Sequence, residues 1–337
     1  MKLPPLPPLV FLLAQSPLLH ACTATSDGPP VESKVPAGDD TAGTDSGPPE
    51  SPDPATVPLS GTCEMEDDLG GFLVKSVVDE TTVEGTVADG VIPASVLEEI
   101  GAEGDCRVLR RNNPYCSPTC DPGEVCDFDG TCLPYPANQD LGTVTLTGMV
   151  QPVTMEPLFP GNSYYDTTLP HPGFVPGSLL SLEMAGGIYG PVSLYGVGVE
   201  PLDMAGVSWK IESGVALDLT WPAPTGPIQR SEVRVSLSID QHGVSPSALS
   251  CRFDDDGSGS VPAAMMSLLV DVGVTGFPTG SIERLTGDRV EVSAGCFDLK
   301  VSEPRTVSVD VVGHTPCIAD PDCPAGQSCN LELQTCY

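Results

Sequence analysis

The feature that most constrains the fold is an alternation of apolar and polar residues with a period of two, repeated in many short segments. In one segment Val233, Val235, Leu237 and Ile239 alternate with polar residues, and similar runs occur at 207–211, 215–221 and 307–311. Successive side chains of a β-strand point to opposite faces, so each run has one apolar face to bury. The pattern predicts an all-β protein in which residues 138–314 form an antiparallel β-sandwich.

Helix is predicted to be scarce. Glycine (36) and proline (37) together make up about a fifth of the 337 residues, and both destabilise helix interiors. Two sites place a proline before an apolar run, at Pro93 and Pro262. Proline is well tolerated in the first turn of a helix. One short helix is therefore expected after each, the first ending near Gly101.

The charge of the chain limits its partners. It carries 46 Asp and Glu residues against 14 Lys and Arg residues, a net charge of -32. A protein that binds nucleic acid needs a basic face for the phosphates. Nucleic acid is therefore not expected as a partner, and electrostatic docking on anionic lipid is equally disfavoured.

The N-terminus has the pattern of an export signal. Lys2 precedes a mostly apolar stretch that ends at Ala21 and is too short to span a membrane as a helix. The sequence Leu19-His20-Ala21-Cys22 resembles the bacterial lipobox. The resemblance implies cleavage after residue 21, lipidation of Cys22 and attachment to the outer membrane, facing the periplasm or the cell surface. The alternative is a plain secretory signal cut at a nearby alanine.

Residues 22–61 are predicted to form a disordered acidic linker that begins at the lipidated cysteine. Positions 23–61 hold eight prolines, five glycines, ten serines and threonines, seven acids and one lysine. Such a composition cannot bury a core. The linker would act as a stalk, or as a spacer without a required length.

The cysteines indicate an oxidising compartment. Of the thirteen cysteines, twelve remain when Cys22 is set aside, an even number that can pair completely. Eight of them form two clusters that share the spacing C-x2-G-x2-C: Cys116, Cys120, Cys126 and Cys132, and Cys317, Cys323, Cys329 and Cys336. The spacing favours disulfides over zinc. For the remaining four, sequence order suggests the pairs Cys63–Cys106 and Cys251–Cys296.

The two clusters resemble the small cysteine-rich modules of the Dickkopf amino-terminal type, which recur in cysteine-rich lipoproteins of Gram-negative bacteria. The resemblance implies compact disulfide knots and extracellular protein contacts. The expected organisation has an N-terminal module at 62–137 that ends in the first knot (116–132). The β-sandwich at 138–314 follows, and the second knot occupies 315–337.

The sharpest chemical motif runs from residue 254 to residue 261 and resembles the first eight positions of an EF-hand loop. Its candidate calcium ligands are Asp254, Asp256, Ser258 and Ser260. Position 12 of such a loop, where a glutamate is usual, is Met265. The alternative is a polar hairpin turn.

Catalytic signatures are missing from the sequence. There is no nucleophile elbow, phosphate-binding loop or dinucleotide loop, and the histidines that follow the signal (His171, His242 and His314) have no zinc-binding spacing. Trp209 and Trp221 fall in phase with the apolar strand positions. The remaining candidates for a sugar-stacking platform, which could equally cap a core edge, are Tyr164, Tyr165, Tyr189 and Tyr195.

Together these features predict a lipid-anchored, disulfide-stabilised envelope protein that is not an enzyme. Its expected role is binding, adhesion or structure at the bacterial cell surface, with a protein or glycan ligand. The first alternative is a calcium-dependent carbohydrate-binding module, with calcium as its cofactor; the second is an exported hydrolase.

Overall fold

The computed structural model describes residues 52–239 and 246–337. The predicted signal, Cys22 and most of the predicted linker lie outside this range, as does His242. No helix in the described ranges is long and apolar enough to cross a membrane. The α-helix is α1 (Ala263–Asp271), and the strands are β1 (Asp68–Ser76), β2 (Thr81–Val87), β3 (Leu97–Glu103), β4 (Cys106–Arg111), β5 (Glu124–Cys126), β6 (Cys132–Pro134), β7 (Val144–Thr147), β8 (Val153–Met155), β9 (Tyr164–Asp166), β10 (Leu179–Met184), β11 (Val192–Val197), β12 (Ser208–Ile211), β13 (Leu217–Thr220), β14 (Glu232–Ser238), β15 (Ser247–Asp254), β16 (Ser258–Val261), β17 (Thr279–Val292), β18 (Gly295–Val311), β19 (Cys329–Asn330) and β20 (Thr335–Cys336).

A ten-stranded sheet organises the molecule. Its order is β3-β4-β15-β14-β17-β18-β1-β2-β9, with β12 paired to the far end of β18. The pairs β1–β18 and β12–β18 are parallel, and the others are antiparallel. The hairpin of β17 and β18 pairs without interruption from Thr279↔Ser308 to Val292↔Gly295. This hairpin is long enough to contribute to two separate cores.

The first core is a two-layer β-sandwich. A four-stranded sheet, in the order β11-β10-β7-β8, packs against β1, β2 and the first half of β18. Phe72, Val74, Leu182, Phe297 and Leu299 are fully buried between the layers. All of them except Phe297, which lies between the buried Cys296 and Asp298, have a more exposed neighbour along the strand, as expected of strands with one buried face.

The second core lies on the same side of the large sheet, toward its other end. There α1 and the antiparallel pair of β13 and β16 cover β14 and β15. Trp209, Trp221, Val235, Leu237 and Met266 are buried in this core. The all-β prediction is therefore confirmed, as are the helix after Pro262 and the core position of both tryptophans.

The prediction of a separate module at 62–137 is wrong for its first fifty residues. Strand β1 pairs with β18, and β4 pairs with β15, so both belong to the large sheet. The helix expected after Pro93 is a single 3-10 turn (Pro93–Ser95) followed by β3. Pairing with β4 explains this difference, because backbone hydrogen bonds along a strand edge override a weak local helix preference.

The predicted linker also ends earlier than residue 61. Val57 is buried, and the Arg230 guanidinium donates hydrogen bonds to the carbonyl oxygens of Pro54 and Val57. The amide of Gly61 bonds to the carbonyl of Gly287 in the large sheet. The last ten residues of the linker are therefore part of the folded unit, held by an apolar side chain and backbone hydrogen bonds that composition does not reveal.

Six disulfides join the twelve cysteines of the described residues, and two of the pairs differ from the prediction. The sheet is crossed by Cys63–Cys296 and Cys106–Cys251, not by the pairs that sequence order suggests. Cys106 and Cys251 are direct neighbours on β4 and β15, so strand register decides their pairing. Each knot pairs internally, as expected, and of the three connectivities that the sequence leaves open in each, the structure has Cys116–Cys126 with Cys120–Cys132, and Cys317–Cys329 with Cys323–Cys336.

Candidate binding cleft

The face of the large sheet opposite the two cores carries many charged side chains. Register places Tyr165, Glu84 and Lys300 on this face, because Tyr165 pairs with Glu84, Glu84 with Leu73, and Leu73 with Lys300. Farther along, Arg252 pairs with Arg234, and Arg234 with Glu283. We call this side of the sheet the open face.

Residues 61–64 cross the open face as a strap. The amide of Cys63 donates to Oδ2 of Asp298, and the Arg234 guanidinium donates to Oγ1 of Thr62. The Arg289 guanidinium donates to the Thr62 carbonyl oxygen. Together with the Cys63–Cys296 bridge, these contacts fix the strap at its centre.

Asp298 lies beneath the strap and is 1% exposed. Its Oδ2 atom accepts the Cys63 amide, whereas Oδ1 has no hydrogen-bond partner and lies 3.6 Å from Nζ of Lys300. Burial raises the pKa of this carboxyl, and the nearby Lys300 ammonium opposes the rise. A side chain at Gly71 would collide with Asp298, since its Cβ would lie 2.2 Å from the Asp298 carbonyl oxygen. The absence of a side chain at position 71 therefore allows the buried aspartate.

Two cavities of about 550 and 350 Å³ adjoin on the open face. They share Asp68, Arg234 and Lys300 as lining residues, and together we call them the cleft. One end of the cleft has glycines in its wall and the side chain of Tyr165, which is 58% exposed. The other end is lined by Arg107 and Arg252.

The basic end of the cleft is unusual in so acidic a chain. All Lys and Arg residues except Lys2 and Lys34 follow residue 51, which leaves twelve of the 14. Four of those twelve line the smaller cavity: Arg107, Arg234, Arg252 and Lys300. One third of the Lys and Arg residues that follow residue 51 therefore lie at one place on the open face.

The ion pairs at this end are loose. Arg107 and Arg252 approach the Glu64 carboxylate at 3.8 and 3.5 Å, and their side chains are 51% and 43% exposed. These distances exceed those of charge-assisted hydrogen bonds, about 2.7–2.9 Å. Glu64, together with Glu99 at 3.6 Å from Nε of Arg107, therefore neutralises part of the charge, and these loose pairs leave donor positions of both guanidinium groups open to a ligand.

The predicted calcium ligands lie on the β15–β16 turn, all of them exposed. The amide of Ser258 donates to Oδ1 of Asp256, and Oγ of Ser260 donates to Asp218. Asp254 ends β15, and its carbonyl oxygen accepts the Asp256 amide. The structure therefore shows a polar turn that joins β15 and β16, two strands of different sheets, and calcium binding by these residues stays a prediction. None of the four residues belongs to a group of acidic, histidine or cysteine side chains close enough to hold a metal among the described residues.

The residue between them, Asp255, has a different role that sequence reasoning missed. Its carboxylate forms a buried ion pair with Arg284, 2.6 Å from Nε, and the two side chains are only 3% and 1% exposed. It also accepts hydrogen bonds from Nε1 of Trp221 and Oγ of Ser231. A sequence signal existed: Arg284 occupies an inward position of β17 next to Ile282, where a buried charge requires a partner.

A second buried acid–base pair lies beside the first. Glu303 contacts the Arg305 guanidinium and accepts the amide of Leu202. Burial raises the pKa of the Glu303 carboxyl, and hydrogen bonding with Leu202 and the charge of Arg305 oppose the rise. Arg284 and Arg305 also donate to backbone carbonyls between residues 200 and 222. Both pairs therefore hold the long β11–β14 connection on the sheet and stay outside the cleft.

The predicted aromatic platform divides between core and surface. Tyr164 is buried, and its hydroxyl bonds to the backbone of Leu141 and Gly142. Tyr189 packs on Phe297, and its hydroxyl donates to the Ala88 carbonyl. Tyr195 is half-buried, and Tyr165 alone of the four is exposed. The structure thus places two predicted tyrosines, Tyr164 and Tyr165, at the cleft, of which only Tyr165 presents an exposed ring.

The two described histidines do not share a site. His171 contacts Oγ1 of Thr81, and His314 contacts the carbonyl oxygen of Gly276. In the described ranges, every group of three ligand-type side chains within metal-binding reach includes cysteines of the two knots. Those sulfur atoms are held in disulfides and are not thiolates.

Comparison with known proteins identifies no family: no family model and no curated protein matches the chain. Solved structures match only weakly. The FN1–FN3 domains of chicken CNTN1 are 7% identical with a TM-score of 0.18, over 63% of this chain and 65% of that chain, just under two thirds of its length. A calcium-stabilised, ice-binding adhesin of an Antarctic bacterium is 12% identical with a TM-score of 0.18, over 71% of each chain. A 1.5-MDa bacterial ice-binding adhesin is 11% identical with a TM-score of 0.15, over 72% of this chain and 98% of that chain. At these TM-scores the likenesses carry no argument about function.

Proposed function

We propose that this chain is a lipid-anchored protein of the bacterial envelope that binds a ligand at the cell surface. The observation that carries the anchor is the cysteine pairing. All twelve cysteines after Cys22 pair with one another, so the chain contains no partner for Cys22. An unpaired cysteine directly after a lipobox-like sequence is the residue that would carry the lipid. Several acyl chains together would anchor the protein stably, which a single chain does not.

The disulfides support an exported location, because such bonds persist in oxidising compartments. The acidic surface supports solubility of a domain that is held at a membrane by its lipid alone. An outer-membrane position follows from Thr23, since no acidic retention signal comes after Cys22.

A binding role fits the cleft better than catalysis does. The residues that line the cleft include no histidine, and its one cysteine, Cys63, is in a disulfide. Histidine and free thiols are common general bases and nucleophiles, respectively. The cleft instead offers an exposed ring, open guanidinium groups and carboxylates, which recognise ligands through stacking and hydrogen bonds.

The test is the intact mass of the protein extracted from native membranes, with thiols alkylated before and after reduction. The expected mass is chain 22–337 with three acyl chains, and all twelve thiols should become reactive only after reduction. A mass that includes residues 1–21, or a lipid-free Cys22, would overturn the anchor. An acylated protein with free thiols would overturn the pairing and leave the anchor standing.

A further inference from the structure

We propose that the cleft on the open face binds an acidic polysaccharide, with a sugar carboxylate at Arg107, Arg252 and Lys300 and a neutral sugar ring against Tyr165. This inference rests on the binding role proposed above and names the class of ligand. The two ends of the cleft differ in chemistry, and each end selects a different part of such a polymer.

The basic end selects a carboxylate. Glu64 already occupies this end, where the guanidinium groups of Arg107 and Arg252 approach its carboxylate from two sides. The protein's own carboxylate thus shows which group fits there. A planar carboxylate matches the fork of donors on a guanidinium group. Nζ of Lys300 is also loosely held, 3.6 Å from Asp298 and one third exposed.

The other end selects uncharged hydroxyl groups. Glu84 and Glu283 line it and would repel a second anion, whereas their oxygens accept hydrogen bonds from sugar hydroxyls. Tyr165 presents an exposed ring beside them, and Gly70 and Gly71 leave the wall free of side chains. A polymer in which every unit is densely anionic fits this end poorly. A glycan that alternates charged and neutral parts fits both ends.

The cleft is also rigid. Arg107 and Arg252 each follow a half-cystine of the Cys106–Cys251 bridge on neighbouring strands. The strap, whose Cys63 and Glu64 line the smaller cavity, is fixed by Cys63–Cys296 and by Arg234. A preorganised site loses little entropy when an extended chain binds.

The experiment measures binding by calorimetry at 0.15 M salt, with the full mature chain carrying Cys22→Ser and exported so that its disulfides form. The probes are hexamers of hyaluronan, alginate and galacturonate, each with its methyl ester, together with cellohexaose and poly-glutamate of matched charge. The hyaluronan hexamer, whose charged and neutral sugars alternate, is expected to bind more tightly than the fully charged alginate and galacturonate hexamers. Its methyl ester is expected to bind about tenfold more weakly or worse, because charge-assisted hydrogen bonds are lost. No binding of the hyaluronan hexamer up to 1 mM, tighter binding of a fully charged hexamer, or equal binding of the ester would overturn the proposal.

Matched variants locate the site. Arg107→Gln with Arg252→Gln should weaken binding about tenfold or more. Arg110→Gln with Arg111→Gln removes the same charge from β4, the strand of Arg107, but outside the cleft lining, and should leave binding unchanged. Tyr165→Ala, an exposed substitution, should weaken binding about fivefold. Equal effects of the two arginine pairs would overturn the location. Poly-glutamate that binds as well as the best glycan would show that an acidic peptide fits instead and would overturn the saccharide assignment.

Failure of this proposal is separable from failure of the proposed function. The lipid and the six disulfides are read from the mass of native protein, which does not depend on the cleft. Loss of glycan binding with an intact lipid mass would therefore reject the cleft ligand alone.

Discussion

The two disulfides of the large sheet are nested, and we expect their removal to be costly. Cys63–Cys296 spans 233 residues and Cys106–Cys251 spans 145 residues. With one bridge intact, the other closes a ring formed by the segments 63–106 and 251–296, about 90 residues. The chain-entropy relation gives about 4.5 kcal/mol for a ring of that size and about 3 kcal/mol for the loop of 12 residues in a knot. Replacing Cys63 and Cys296 together by serine should lower the free energy of unfolding by about 4.5 kcal/mol.

Urea unfolding at 25 °C, followed by tryptophan fluorescence, measures this loss, because Trp209 and Trp221 are both buried beside the sheet. Peptide mapping of the same variant should find Cys106 still joined to Cys251 and no free thiol. The matched control replaces Cys317 and Cys329, whose short loop should contribute about 3 kcal/mol and should act on the knot. A loss below about 1 kcal/mol for the sheet variant, or a native peptide map that shows Cys63–Cys106, would refute the nested pairing.

Three further predictions concern buried groups of the sheet. Arg284→Gln should destabilise the protein by about 3–5 kcal/mol in urea unfolding, because it leaves the Asp255 carboxylate buried without its partner; an effect under 1 kcal/mol would show that the pair is not desolvated. Gly71→Ala should cost about 1–3 kcal/mol, since the new methyl group meets backbone, whereas Gly161→Ala, with open space around it, should stay within about 0.5 kcal/mol; equal effects would contradict the tight approach. The folded-state pKa of Asp298 is raised by burial, so its stabilising contribution is fully present below the unfolded pKa and is lost as pH rises through the folded pKa. Asp298→Asn should therefore raise the melting temperature at pH 7. It should also remove the contribution of Asp298 to the pH dependence of the melting temperature, so the difference between the variant and the unaltered protein should shrink on acidification. An unchanged difference across pH would refute the assignment.

Local sequence was sufficient for the strands of the β-sandwich region. The alternation at β14 placed Val233, Val235 and Leu237 inward, and the structure buries all three. Alternation is read correctly because each residue's face depends only on its own position along the strand. That each knot would pair within itself was likewise predictable, because four cysteines within a segment of about twenty residues stay close together in space.

Long-range partners were beyond the sequence. Nothing local indicates that β1 lies beside β18, yet that pairing joins the predicted N-terminal module to the sandwich and brings Cys63 to Cys296. Sequence order favours the nearest cysteine, whereas strand register across the finished sheet decides the actual pair. The sequence analysis missed β3 for the same reason, because the extended conformation of β3 depends on its pairing with the edge of β4.

The candidate site shows the same division. The alternation in β14 leaves Arg234, between Val233 and Val235, on the polar face of its strand, and Tyr165 was proposed as part of a stacking platform; both line the cleft. Sequence reasoning chose the acidic turn around Asp256 as the chemical centre, because clustered acids are visible in one segment. The cleft gathers its residues from at least seven strands, so only the tertiary structure determines it. A sequence specifies which side chains face outward, but sheet order alone determines which of them become neighbours.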